Sequence, residues 1–153
     1  MRDLFNNLRT RFDGLPVGQQ RLVVTGGFIV IQILIWIVAL QILWYGDRGI
    51  TDTPIYYDYA SRMSSGMMPY RDFSSEYPPV AMLLFSLPRL LSGSSYFAFV
   101  VWFEVEMLAF SCGIVLLLAA LAWRQWGDIN RMTATLGLYS FFIMALGSIV
   151  KLR

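Results

Sequence analysis

The sequence contains no histidine, a single cysteine and few charged residues, and each shortage excludes a class of function. Without histidine, this chain cannot carry Ser-His-Asp or Cys-His catalysis or a histidine-bearing zinc site. Cys112 lies in an apolar run and has no second cysteine with which to form an internal disulfide. Charged residues make up 14% of the chain, against about 25% in soluble domains. A net charge of +2 does not indicate nucleic-acid binding. The composition therefore favours a protein of the lipid bilayer.

Three long apolar segments are predicted to be transmembrane helices. A helix needs about 20 apolar residues to cross the roughly 30 Å of hydrocarbon in a bilayer. The segments that meet this requirement are residues 22–45, 96–123 and 132–150. A fourth apolar run, residues 80–91, is too short to span and contains Pro88 and Arg89. We interpret it as a re-entrant or interfacial helix.

Arginines on either side of these segments predict the orientation of the chain. They are frequent in residues 1–21, before the first span, and flank the connection at residues 124–131. The positive-inside rule places both segments in the cytoplasm, and residues 1–21 can lie on the inner surface as an amphipathic helix. Residues 46–95 then form an extracytoplasmic loop, and residues 151–153 lie at the outer end of the third span. The predicted fold is an all-α integral membrane protein of the plasma (inner) membrane, with a cytoplasmic N-terminus.

The extracytoplasmic loop is predicted to hold two short juxtamembrane helices, at about residues 53–65 and 79–91. Pro54 suits the first turn of a helix, and Asp52 can accept hydrogen bonds from its free amides. Gly66 is a plausible helix terminator. Asp58 and Arg62 are four residues apart, so they can form an ion pair on one helix face. Taken singly, these residues require no function, and a helix cap is the simplest explanation of Asp52.

Two glutamates lie within the second predicted span. An ionisable group inside the membrane is costly and usually faces a cavity or a partner. Glu104 and Glu106 differ by about 200° in direction around a helix, so they cannot both point at one site. Two interpretations are equally open. The glutamates are neutral and form hydrogen bonds between helices, or one of them is a functional carboxylate.

The order of these features resembles a known family of membrane enzymes. A first span is followed by "TDTPIYYDYA", by Gly66 with "PYRDFSSEYPP", and by a short apolar helix containing "LPRLL". Over residues 22–153 this pattern is similar to the N-terminal part of GT-C superfamily glycosyltransferases, and more narrowly to the bacterial polyprenol-phosphate-mannose-dependent mannosyltransferase-like family. The resemblance implies that Asp52 is the catalytic base. It would activate an extracytoplasmic acceptor hydroxyl, which attacks a polyprenyl-phosphate sugar with inversion.

The resemblance also suggests residues that bind the substrates. A phosphate leaving group needs cations, and the candidates on the outer face are Arg71, Lys151 and Arg153. Asp72, Glu76 and Tyr77 are further candidates for contacts with the sugar or for ordering the loop. No cofactor is predicted; a divalent cation is compatible with this chemistry, although the sequence contains no metal-binding motif. The expected partners are the bilayer, the lipid-linked sugar and a glycan or lipid acceptor.

Length separates this chain from the family that it resembles. GT-C enzymes have many more than three spans, and this chain stops at "GSIVKLR". We therefore expect a truncated or split enzyme that is inactive alone and needs additional helices, for which a second chain is one source. Two other interpretations stay open. One is a non-catalytic membrane subunit or degenerate fragment that assembles through small residues such as Thr133 and Gly137. The other is a small transport component that uses Glu104.

Overall fold

The computed structural model describes residues 2–42 and 52–149. These residues form six α-helices and no β-strand, which confirms the predicted all-helical fold. The helices are α1 (Arg2–Asp13), α2 (Val17–Ile42), α3 (Thr53–Ser64), α4 (Pro79–Ser92), α5 (Tyr96–Trp126) and α6 (Ile129–Ile149). The two predicted juxtamembrane helices correspond to α3 and α4.

Two of these helices are long and apolar enough to cross a membrane. They are α2, over Val17–Val38, and α5, over its whole length. The predicted third span coincides with α6, but α6 is not among the helices that meet this criterion within the described residues. Three spans are therefore not confirmed. Helix α5 continues three residues beyond the predicted span and ends before Gly127, which has the positive φ of +60° typical of a helix terminator.

The chain divides into two compact units, which we describe separately. Unit 1 comprises Met1–Gln41 and Ser111–Arg153, and unit 2 comprises Ile42–Phe110. Helix α5 contributes residues to both units.

The core of unit 1 is apolar and includes several small residues. Met132 and Leu136 are fully buried beside Ala119 and Ala122, whose short side chains let helix backbones approach closely. Gly137, considered above for association with a second chain, lies against a ring within its own chain. A Cβ atom at this position would lie 3.9 Å from Cζ of Phe28.

A polar network joins α2, α5 and α6 inside unit 1. The Gln32 side chain is only 2% exposed, and its Nε2 donates to Oγ of Ser140 at 2.8 Å. The Ser111 hydroxyl lies 3.0 Å from Oε1 of Gln32, to which it donates, and 3.1 Å from the hydroxyl of Tyr139. Each hydrogen bond of this kind contributes about 0.5–1.5 kcal/mol to stability. The network fixes the facing sides of α2, α5 and α6.

Unit 2 is built around an aromatic cluster that joins α3 and α4. Ala60 on α3 is buried, which lets α4 approach and place Met82 and Phe85 in the core with Phe99 of α5. The Tyr56 ring stacks on Phe85, with centroids 4.3 Å apart and planes inclined by 15°. This packing fixes α3 relative to α4 and so positions the residues that flank both helices.

Candidate functional site

Asp52 lies immediately before α3, at the helix cap position that the sequence indicates. Its main-chain carbonyl accepts hydrogen bonds from the amides of Ile55 at 2.9 Å and Tyr56 at 3.1 Å. Its side chain, however, makes no capping hydrogen bond and is exposed. The Asp52 carboxylate is therefore not a side-chain helix cap, which is the simplest role that the sequence suggests for it.

The Asp52 carboxylate instead contacts the hydroxyl of Tyr77. The Tyr77 hydroxyl donates to Oδ2 of Asp52 at 3.2 Å, linking the connection that precedes α4 to the start of α3. The Tyr77 ring is held edge-on against Tyr56, at 5.3 Å, and against Phe85, at 5.4 Å. Because the aromatic cluster fixes this ring, the hydroxyl is presented to the carboxylate from a defined direction.

The surroundings of Tyr77 keep its hydroxyl protonated. The pKa of Tyr77 is raised, first by the neighbouring Tyr56 hydroxyl, then by partial burial and by the negative charge of Asp52. Each of these effects disfavours the phenolate. Tyr77 therefore remains a neutral hydrogen-bond donor to Asp52 across the physiological pH range.

Arg71 and Asp72, both predicted to contact substrate, pair with each other. Arg71 donates to both oxygens of Asp72, at 2.9 and 2.7 Å, and the amide of Met68 donates to Oδ2 at 2.8 Å. The Arg71 guanidinium, and secondarily the Met68 amide, lower the pKa of Asp72. Within the described residues no hydrogen bond joins this pair to Asp52. The charge of Arg71 is thus already compensated.

The remaining predicted site residues lie outside this arrangement. Glu76 is exposed and makes no hydrogen bond or ion pair with the described residues. Lys151 and Arg153 lie outside the described residues. Among residues 2–42 and 52–149, no group of three or more histidine, cysteine or acidic side chains could hold a metal ion.

The two glutamates of α5 are both half-buried. The carboxylate oxygens of Glu106 are buried, and the described part of the chain supplies no hydrogen-bond partner for either of them. This is the environment expected for a glutamate that bonds with a group outside these residues, although it identifies no such group.

Comparisons with family models, with curated proteins and with solved structures found no match to this chain. The assignment of function therefore depends on the residues and on their geometry.

Proposed function

We propose that this chain is the N-terminal part of a membrane glycosyltransferase of the GT-C type. It would transfer a mannose-like sugar from a polyprenyl-phosphate donor to an extracytoplasmic acceptor, with inversion at the anomeric carbon. The observation that supports this most is the state of Asp52, whose exposed carboxylate is not used as a helix cap and is oriented by Tyr77. The proposal includes three spans in the plasma membrane, with α6 as the third and the N-terminus in the cytoplasm.

The proposed chemistry assigns separate tasks to the two oxygens of Asp52. Oδ2 accepts the Tyr77 hydrogen bond, while Oδ1 makes no hydrogen bond with the described residues and can accept the proton of an acceptor hydroxyl. That hydroxyl must come within about 2.6–3.2 Å of the carboxylate. Its oxygen then attacks the anomeric carbon from the face opposite the phosphate. The bond from that carbon to the phosphate oxygen breaks, and polyprenyl phosphate leaves with the electron pair.

Departure of the phosphate requires cations that stabilise its negative charge. Arg71 could contact a phosphate only in competition with Asp72. Arg89 has no carboxylate partner among the described residues and donates to Oγ of Ser61 at 3.2 Å. Ser61 follows Asp52 by nine residues, which is about 13 Å along a helix. Arg89 is thus near the far end of α3, and we assign the leaving-group role to Lys151, Arg153 or a partner chain.

The experiment that tests this function compares substitutions of two aspartates. Asp52 precedes α3, and Asp58 lies on its exposed side. We expect Asp52→Asn to reduce sugar transfer from polyprenyl-phosphate mannose by about 10²- to 10⁴-fold, because the amide cannot take up the proton. Asp58→Asn is the matched control, since Asp58 is also exposed but pairs with Arg62 at 2.8 Å. Transfer should be measured with radiolabelled donor in membranes of the native host, where any additional helices are present.

Unchanged transfer in the Asp52→Asn membranes would refute the catalytic assignment. If both aspartate variants keep full activity while deletion of the whole chain abolishes it, the chain is a non-catalytic subunit. A loss of ion flux on Glu104→Gln, with sugar transfer unaffected, would instead favour a transport component.

A further inference from the structure

A groove in unit 1 has the chemical gradient of a glycerophospholipid. It encloses about 600 Å³ at the end of α5 and is bordered on the other side by Thr135 of α6. Leu118 and Leu121 line the part toward the middle of α5, and Arg124 and Gln125 line the part near the end of this helix. The lining therefore changes from apolar to polar along one helix, over about 9 Å from residue 118 to residue 124.

With α5 as a membrane span, the groove lies near the boundary of the bilayer. Helix α5 is one of the two helices long and apolar enough to span a membrane, and it ends at Trp126, which also lines the groove. Tryptophan and arginine are the residues typical of the headgroup region, whereas leucines one to two turns deeper lie at acyl-chain depth. In this groove the acyl chain of a lipid would contact the leucines, and its headgroup would contact the polar residues near the end of α5.

Within residues 2–42 and 52–149, no carboxylate pairs with the charge at the polar end of the groove. Arg124 is exposed and forms no ion pair within the described part of the chain. The carboxylate that follows it, Asp128, is occupied elsewhere, because its Oδ1 accepts the amides of Asn130 at 2.7 Å and Arg131 at 3.0 Å. An arginine binds a phosphate through two parallel N–H groups, and Gln125 adds an amide donor beside it.

We propose that this groove binds an anionic glycerophospholipid, with its phosphate at Arg124 and one acyl chain along Leu118 and Leu121. A volume of about 600 Å³ lies within the range of small-molecule sites, which are mostly apolar with a few polar groups that fix orientation. Basic pockets between membrane helices recognise anionic headgroups in this way. The positive-inside rule places this end of α5 in the cytoplasmic leaflet, where anionic lipids are concentrated. The inference does not depend on the proposed catalysis.

The test measures lipid selectivity of the full chain in bilayers. The chain is reconstituted in phosphatidylcholine containing spin-labelled phosphatidylglycerol or spin-labelled phosphatidylcholine, and the motionally restricted fraction of each label is measured. We expect the wild-type chain to prefer phosphatidylglycerol by about fivefold. Arg124→Gln should remove this preference. Arg131→Gln is the matched control, because Arg131 is exposed in the first turn of α6 but does not line the groove, and it should keep most of the preference.

A second variant separates loss of binding from loss of structure. Leu121→Trp fills the apolar part of the groove and leaves Arg124 intact, so it should also reduce the preference while circular dichroism shows unchanged helix content. Millimolar inorganic phosphate should not compete with the labelled lipid. The proposal is overturned if the wild type shows no preference, if Arg124→Gln and Arg131→Gln reduce it equally, or if inorganic phosphate displaces the lipid label.

Discussion

The contact between Asp52 and Tyr77 is the feature on which the functional account depends. An exposed aspartate before a helix is ordinarily a cap, and here the main chain of Asp52 occupies the cap position while its carboxylate binds a phenol from 25 residues away. A carboxylate held by one neutral donor keeps its second oxygen available as a base. Tyr77, which the sequence suggests as a substrate-binding candidate, contacts Asp52 in the structure, and we propose that it positions this carboxylate.

We expect Tyr77→Phe to lower kcat for sugar transfer by about tenfold with little change in KM. A hydrogen bond to a charged group contributes about 1.5–3 kcal/mol, and the 3.2 Å distance and the exposure of Asp52 place this one at the low end. Tyr59→Phe is the control, because the Tyr59 ring stacks in the same cluster, 5.6 Å from Phe73, and its hydroxyl has no hydrogen-bond partner among the described residues. Equal effects of the two substitutions on kcat would contradict the positioning role.

The sequence was sufficient to select Asp52 and Tyr77 as candidates but not to connect them. Periodicity relates residues three or four positions apart, whereas this contact depends on how the segment before α4 returns to the start of α3. The sequence also did not predict the Arg71–Asp72 pair, because two adjacent opposite charges can bind either each other or a ligand. Their bidentate geometry, together with the Met68 amide, is a property of the folded turn.

At the scale of the helices, local chemistry predicted both ends of α3, whereas the starts of α2 and α6 and the end of α5 differ from the predicted spans. Pro54 and Gly66 correctly indicated the two ends of α3, and Gly66 has the positive φ of +89° that favours glycine. The start of α6 was predicted at Met132, but the helix begins at Ile129. Asp128 explains this difference, since its carboxylate accepts the amides of the first turn and extends the helix toward Gly127.

The cap at Asp128 predicts a pH dependence of stability. The pKa of Asp128 is lowered because its carboxylate accepts the amides of Arg131 and Asn130. The stabilisation is therefore fully present above the ordinary value of 3.8 and is lost as the pH falls below it. We expect Asp128→Ala to lower the unfolding temperature at pH 7 and to make stability less dependent on pH below about 4.

Asp128→Asn separates the cap from its charge. Asparagine can still accept the amides of the first turn, so this variant should be more stable at pH 7 than Asp128→Ala while showing the same weaker acid dependence. Thermal unfolding followed by circular dichroism in detergent, from pH 3 to pH 7, measures both quantities. An acid dependence identical to that of the wild type in both variants would show that Asp128 does not supply this stabilisation.

At the scale of the whole molecule, the two helices that are long and apolar enough to cross a membrane bury little of their apolar surface inside the protein. Only 6% of the most apolar window of α2 and 17% of that of α5 are buried inside the protein, so most of their apolar side chains face outward. Hydropathy predicted these two helices because it depends only on composition. It could not predict the network around Gln32, since hydropathy does not show which residues on other helices form hydrogen bonds with this side chain.

The account as a whole requires a carboxylate at position 52 on the outer side of the membrane. Cys112 is the only cysteine, so a Cys112→Ala background allows Asp52→Cys to be modified selectively. Treatment of sealed cells with iodoacetate from outside converts the thiol into a carboxylate, whereas iodoacetamide gives a neutral group of the same length. Sugar transfer from polyprenyl-phosphate mannose is then compared between the two. We predict that transfer after iodoacetate exceeds transfer after iodoacetamide by at least about tenfold. Equal transfer after both reagents, with complete labelling verified by mass spectrometry, would contradict the account.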